Sequence, residues 1–368
     1  MCGITGSWSP TVRPDALASS IRALSQRGPD GQGEYLDAAS GVMLGHARLA
    51  IIDLSETGHQ PMLSDDGQVA LTFNGEIYNY RALRAELEAA GITFVGHSDT
   101  EVLLRLYLQV GLDCLPRLNG IFAFAIHDKR SGELVLVRDE LGVKPLYYSE
   151  GRHGFAFASE IKALVPLMDS EPRSLDHASL HRYLTYLWCP GDGTPLNEVR
   201  KVQPGEALVV RDGRVVRGST WYELPAHRGV TGSMGEAESI AAAGASLRRA
   251  VHRQMVADVP VGAFLSGGLD SSAVVAFARE QAPDIRCFTI EASGGGDAGT
   301  RKSVGEPGTG SRGGAVVLRG LDVQPQSRHR PVRRTRHRRK RGPKARPGVR
   351  IGYRGNGERR KGNAQDLP

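Results

Sequence analysis

Cysteine is scarce in this chain: there are four, Cys2, Cys114, Cys189 and Cys287, in 368 residues. Their spacing fits neither a zinc site nor a disulfide framework, which excludes the small stapled secreted folds. No run approaches the ~18 apolar residues of a membrane span. The first residues also lack the pattern of a secretory leader, so the cytoplasm is the expected compartment. Acidic residues run short in one region only. From Gly294 onward 20 Lys and Arg face 5 Asp and Glu, whereas the residues before it carry 27 against 35. The formal net charge of +7 therefore belongs entirely to the last 75 residues. That segment has one aromatic, Tyr353, and 22 of its residues are Gly or Pro. It lacks the apolar surface needed to offset its chain entropy, so disorder is expected there.

Two features before that point carry chemistry. The chain opens Met1-Cys2-Gly3-Ile4, and Cys2 is small enough for Met1 to be removed. Cys2 would then hold a thiol and a free α-amine on one residue. The amine titrates near ~7.7–8.0 and can serve as the base that a thiol needs, without a histidine. Far downstream, the apolar run Val259–Leu265 leads into Ser266-Gly267-Gly268-Leu269-Asp270-Ser271-Ser272 and then a helical stretch. Strand, glycine turn and helix together direct backbone N–H groups and a positive helix end at an anion. The Lys of a Walker loop is missing.

Between these features lie four short patterns. Leu24 to Gly31 contains Arg27-Gly28-Pro29-Asp30. Gly45 to Asp53 sets Arg48 beside an apolar run. Leu71-Thr72-Phe73 reads as a strand leading into Asn74-Gly75-Glu76, where Asn-Gly by itself signals a turn. Ser98-Asp99-Thr100-Glu101 precedes a helical pattern. Each is weak alone, but their order and spacing are specific. Residues 2–222 resemble a type 2 glutamine amidotransferase domain of the N-terminal nucleophile (Ntn) class. With the downstream SGGLDSS, the chain resembles the glutamine-hydrolysing asparagine synthetase family.

The resemblance implies roles for particular residues. Cys2 is the implied nucleophile toward the glutamine side-chain amide, and Asn74 with the Gly75 N–H the implied oxyanion hole. Arg48 is implied to take the substrate carboxylate through its planar fork, and Glu76 and Asp99 its ammonium. Ile51 and Ile52 are implied to line the pocket, and Arg27 to shape it. Downstream, Ser266, Gly267, Gly268, Ser271 and Ser272 are implied to cradle ATP phosphates. Asp270 is implied to help hold Mg2+, while Leu265 and Ile290 contact the adenosine. Glutamine, ATP and aspartate are the implied substrates, and the resemblance is compatible with a homodimer. An acceptor other than aspartate, such as a sugar or another carboxylate in polysaccharide or secondary-metabolite assembly, is the alternative within the family.

The expected organisation follows. Residues 2–222 form an α+β Ntn-hydrolase α-β-β-α sandwich, and 223–236 a linker. Residues 237–293 form part of an α/β PP-loop domain of the adenine-nucleotide α-hydrolase type, opening a doubly wound sheet. Residues 294–368 form a disordered basic tail. So abrupt a change is what a frameshift in a GC-rich gene, or a truncation, produces. The family's next loop is not found, since Val304-Gly305-Glu306-Pro307 does not match it. Glutaminase activity is expected to survive, synthetase activity is not, and exposed apolar strands are expected to promote aggregation. The competing reading is a genuine arm for nucleic acid or anionic membrane, with salt-dependent binding.

Overall fold

A computed structural model of the chain describes residues 1–168, 173–225, 234–292 and 316–321. These fall in one compact unit, Met1–Val323. The first elements are β1 (Gly3–Trp8), α1 (Pro14–Ala23), β2 (Gly31–Asp37), β3 (Val42–Arg48), β4 (Met62–Leu63) and β5 (Val69–Ile77). Next come α2 (Tyr80–Ala89), α3 (Asp99–Val110), β6 (Gly120–Asp128), β7 (Glu133–Arg138), β8 (Tyr147–Gly151), β9 (Gly154–Ala158) and α4 (Ile161–Leu164). Then follow α5 (His177–Tyr186), β10 (Arg200–Lys201), β11 (Glu206–Arg211) and β12 (Arg214–Thr220). The last are α6 (Glu236–Arg253), β13 (Gly262–Phe264), α7 (Leu269–Gln281), β14 (Arg286–Ala292) and β15 (Val316–Leu321).

Two six-stranded antiparallel sheets stack face to face, in the orders β10-β8-β9-β1-β3-β2 and β12-β11-β7-β6-β5-β4. The period-2 pattern of the strands dictates the layers. On β5, Val69, Leu71 and Phe73 turn outward against α2 and α3, while Ala70 turns inward. On β6, Phe122, Phe124 and Ile126 face the helices, and Ala123 and Ala125 face the opposite sheet. The first sheet answers in kind. Ile4, Trp8, Leu44, Phe155 and Phe157 fill the middle layer, and Met43, Ala156 and Ala158 pack on α1 and α4. Small residues on β6 thus meet aromatic ones on β9, the complementarity that a close-packed interior requires. The outcome is the expected α-β-β-α sandwich.

Asn74-Gly75, a pair that by itself favours a turn, lies inside β5. The strand continues to Ile77 because β6 pairs with it through Ile77↔Gly120.

Beyond the sandwich, α6 and α7 share a small core of Val251, Ala278 and Ile285, with Met255 and Phe277 packed on it. β13 pairs parallel with β14, the opening expected of a doubly wound sheet, but β15 pairs antiparallel with β14. β15 is a correction to a tail expected without structure from Gly294. Val316-Val317-Leu318 is a β-prone run, and the free edge of β14 accepts it. The rest of that tail, 294–315 and 322–368, and the expectations placed on it lie outside the described residues. Among the described residues no helix is long and apolar enough to cross a membrane.

Candidate active site

Cys2 stands at the head of β1, flanked by β3 and β9. Its backbone is pinned: Arg27 Nε donates to the Cys2 carbonyl at 2.9 Å, and Arg27 pairs with Glu160 at 3.0 Å. Asp30 of the same loop accepts from the Ala50 amide at 2.9 Å, bracing the segment after β3. The Leu49 N–H lies 3.3 Å from Cys2 Sγ. Burial pushes the thiol up, against the Leu49 backbone and a lesser pull from Lys144. Among the described residues no histidine hydrogen-bonds Cys2. His46 is buried, bonds the Phe73 carbonyl at 3.1 Å and is driven by burial to about 3, so it stays neutral.

β5 supplies the opposite wall through its hydrogen-bond phase. In an antiparallel pair, alternate residues direct their amides toward and away from the partner. The Phe73 N–H goes to Gln60 Oε1 at 2.6 Å and the Ile77 N–H to Asp99 Oδ2 at 3.0 Å, both away from β6. Gly75 lies between them in the same phase. Opposite Gly75 is Phe122, whose amide and carbonyl are both taken by Asp139. The Gly75 N–H therefore faces the cleft. Asn74 beside it is 1% exposed, and both its Oδ1 and Nδ2 lack a partner among the described residues. Leaving a buried amide unpaired costs about 1–3 kcal/mol, an arrangement that makes sense for a group reserved for a ligand.

Glycine is required at position 75. A β-carbon there would overlap the Ile121 carbonyl oxygen and sit 2.6 Å from Phe122 Cβ. Gly75→Ala is expected to cost about 1–3 kcal/mol of stability by overpacking, seen as a lowered urea midpoint with an unchanged slope. A midpoint equal to that of the unsubstituted chain would contradict this packing.

Charged groups ring the far end of the cleft. Arg48 Nη1 donates to the Ser55 carbonyl at 3.1 Å and Nη2 to the Asp53 carbonyl, and no carboxylate neutralises it among the described residues. Asp99 opens α3, where Ser98 Oγ caps the helix by accepting the Glu101 amide at 3.2 Å. Burial raises Asp99 to about 7, against the Ile77 amide that lowers it; neighbouring Glu76 adds to the rise. Burial also raises Glu76, opposed by the Lys144 charge. One cleft is lined by Cys2, Arg48, Ile51, Ile52, Asn74, Gly75, Glu76 and Asp99, together with Gln60, Thr100 and Lys144.

Lys144 was not foreseen. It is 7% exposed and held below its ordinary range by burial. Asp139 presents it by accepting the Val143 and Lys144 amides at 2.9 Å each, while Arg138 Nε donates to the Lys144 carbonyl at 2.8 Å. In the sequence this segment reads only as a turn. Gln60 and Thr100, joined at 3.2 Å, were also missed.

The residues read as an ATP loop lie together at another place. Ser266, Gly267 and Gly268 link β13 to α7, with Gly267 at φ +80° in the left-handed region. Leu265 donates its N–H to the Phe288 carbonyl at 2.8 Å, which sets it beside β14, the strand holding Ile290. Ser271 and Ser272 turn their hydroxyls to the Gly268 carbonyl at 3.2 and 2.8 Å. No side chain caps the first turn of α7, in which Asp270 is the acidic residue. No cluster of three or more His, Cys, Asp or Glu suited to a metal occurs among the described residues.

Residues 1–222 match the glutamine amidotransferase domain model and 242–306 the asparagine synthase model. Glutamine-hydrolysing asparagine synthetase 1 of Bacillus subtilis is 36% identical over 79% of this chain and 46% of its own length. Asparagine synthetase 3 of the same organism is 38% identical, over 79% of this chain and 48% of its own. A putative asparagine synthetase of Methanocaldococcus jannaschii is 35% identical, over 76% and 57%. The chain thus spans about half the length of the curated relatives it matches. Among solved structures, the glutamine phosphoribosylpyrophosphate amidotransferase of B. subtilis covers 77% of this chain and 64% of its own. Its identity is 20% and its TM-score 0.47, too loose a likeness to argue from. By its matched residues and its relatives, the chain belongs to the glutamine amidotransferases, in the family of the glutamine-hydrolysing asparagine synthetases.

Proposed function

We propose that this chain hydrolyses glutamine to glutamate and ammonia at Cys2. The observation that carries the reading is the one cleft lined together by the half-buried Cys2, the unpartnered Asn74 amide and Gly75. Cys2 Sγ attacks the side-chain carbonyl carbon while its proton passes to the α-amine freed by removal of Met1. The oxyanion receives hydrogen bonds from Asn74 Nδ2 and Gly75 N–H. The C–N bond breaks as the α-amine returns its proton to the leaving ammonia, and water then cleaves the thioester to glutamate. Arg48 holds the substrate carboxylate, and Glu76 and Asp99 hold its ammonium. Glutamate release by the purified chain without ATP tests this; its absence after Met1 removal would contradict it.

The Asp99 reading has a pH signature. An ammonium is held by the ionised carboxylate, and Asp99 in the free protein titrates near 7. Because kcat/KM reports the free enzyme, Asp99 should add a limb of about tenfold per pH unit below 7 to the rise that the Cys2 α-amine imposes up to about 8. Asp99→Asn keeps an acceptor for the Ile77 amide but cannot ionise. It should remove this limb and raise KM. An unchanged limb in that variant would sink the assignment.

For the second half we propose that Ser266–Ser272 is the opening of an ATP site of the kind that activates a carboxylate, aspartate in the first instance, for attack by ammonia, a reaction that this chain, spanning about half the length of its relatives, is expected not to complete. The uncapped start of α7, the serine hydroxyls and the left-handed Gly267 support a phosphate cradle. Asp270 is one hard oxygen donor, and Mg2+ typically takes one or two carboxylates plus phosphate oxygens. Bound there, the ion would offset phosphate charge.

A further inference from the structure

The sandwich lines the cleft but does not by itself brace the loop that forms one of its walls. The loop after β3, which lines the cleft with Ile51 and Ile52, turns at Asp53. Asp53 is buried and has φ +54°, a left-handed backbone that is strained for a non-glycine residue. Nearly all its polar atoms are spoken for inside the sandwich. Oδ1 accepts from Ser55 Oγ at 2.6 Å, and Oδ2 from Thr57 Oγ1 at 2.7 Å and the His97 amide at 3.1 Å. Its carbonyl accepts from Arg48 Nη2. The Asp53 N–H remains, and its partner comes from the second part of the chain: Asp258 Oδ2, at 2.7 Å. The same carboxylate oxygen lies 2.9 Å from His97 Nε2, and the Asp258 N–H donates to the Ile51 carbonyl at 2.9 Å. His97 immediately precedes Ser98 and Asp99. Asp258 lies between α6 and β13, on the segment that leads to Ser266.

We propose that Asp258 is a positioning residue for glutamine, clasping the loop that orients Arg48 to the start of the helix that carries Asp99. The inference rests on the glutaminase reading above and extends it. One acceptor spans two walls of the cleft and holds a strained residue whose carbonyl in turn holds the Arg48 fork. The Asp53 amide and His97 keep Asp258 below the usual carboxylate range, as expected for an ionised acceptor in this contact. Without it, the Asp53 N–H loses its partner, the strained turn is free to relax, and Arg48 loses its fixed orientation. The loss falls on recognition of the amino-acid end of glutamine and not on the Cys2 thiol or the oxyanion donors. Substrate affinity is therefore tied to the part of the chain that leads to the nucleotide loop.

The test compares Asp258→Ala and Asp258→Asn in the full chain. Asp258→Ala should raise KM for glutamine about tenfold with kcat within about twofold, the pattern of lost ground-state binding. Asp258→Asn, whose amide oxygen still accepts both N–H groups, should stay within about threefold of the unsubstituted chain in KM. Amide hydrogen exchange gives a readout independent of activity: the Asp53 N–H should exchange at least about tenfold faster in Asp258→Ala. An unchanged KM in Asp258→Ala, an equal loss in both variants, or unchanged protection of Asp53 would overturn the clasp. Absence of glutamate release by the unsubstituted chain would instead contradict the proposed function, and Asp53 exchange would still decide the contact.

Discussion

Cys2→Ala is expected to reduce glutamate release by about 10,000-fold or more, as loss of a covalent nucleophile does. Glutamine binding should survive, because Arg48, Glu76 and Asp99 lie on other elements. The chemistry at Cys2 also depends on what precedes it. With Met1 attached, the Cys2 nitrogen is an amide and cannot take a proton. With Met1 removed, it becomes an amine next to the thiol. Burial pushes the thiol up, and His46 is neutral and turned to the Phe73 carbonyl. No other base among the described residues touches the sulfur. A chain that retains Met1 should therefore be nearly as inactive as Cys2→Ala. Glutamate release by Cys2→Ala at more than a few per cent of the normal rate would contradict the assignment.

Asn74→Ala should lower kcat about 100- to 1,000-fold while KM changes little, the signature of a donor used only when charge develops on oxygen. The same substitution separates this role from a structural one. The Asn74 side chain makes no hydrogen bond among the described residues, and the residue is 1% exposed. Its removal relieves an unpaired buried amide, so thermal stability should be kept or should rise. Loss of kcat with a preserved melting temperature is the expected pair. Loss of both together would show that Asn74 holds β5 in place.

What the sequence disclosed was governed by distance along the chain. The strands around Phe124 and Phe157 and the helices at Tyr80 and Asp99 are short, periodic segments whose burial follows from their own residues. Asn74-Gly75 was harder, since its local chemistry favours a turn and only pairing with β6 keeps it extended. Cys2, Arg48, Glu76 and Asp99 were found through the order of their motifs, not through any local rule. Lys144 escaped because its signal is a Gly-Val-Lys-Pro turn, and nothing local says that Asp139 aims that turn at the cleft. Asp258 escaped for the same reason at longer range: its partners lie 161 and 205 residues away. β15 shows the reverse error, in which composition over 75 residues hid one β-prone run.

The most direct test of the account combines the intact mass of the purified chain with an assay of glutamate release. The account predicts a mass lower by one methionine, ATP-independent glutamate formation, and loss of that activity when the Cys2 thiol is alkylated. A processed chain with a free Cys2 thiol and no glutamate formation would contradict it.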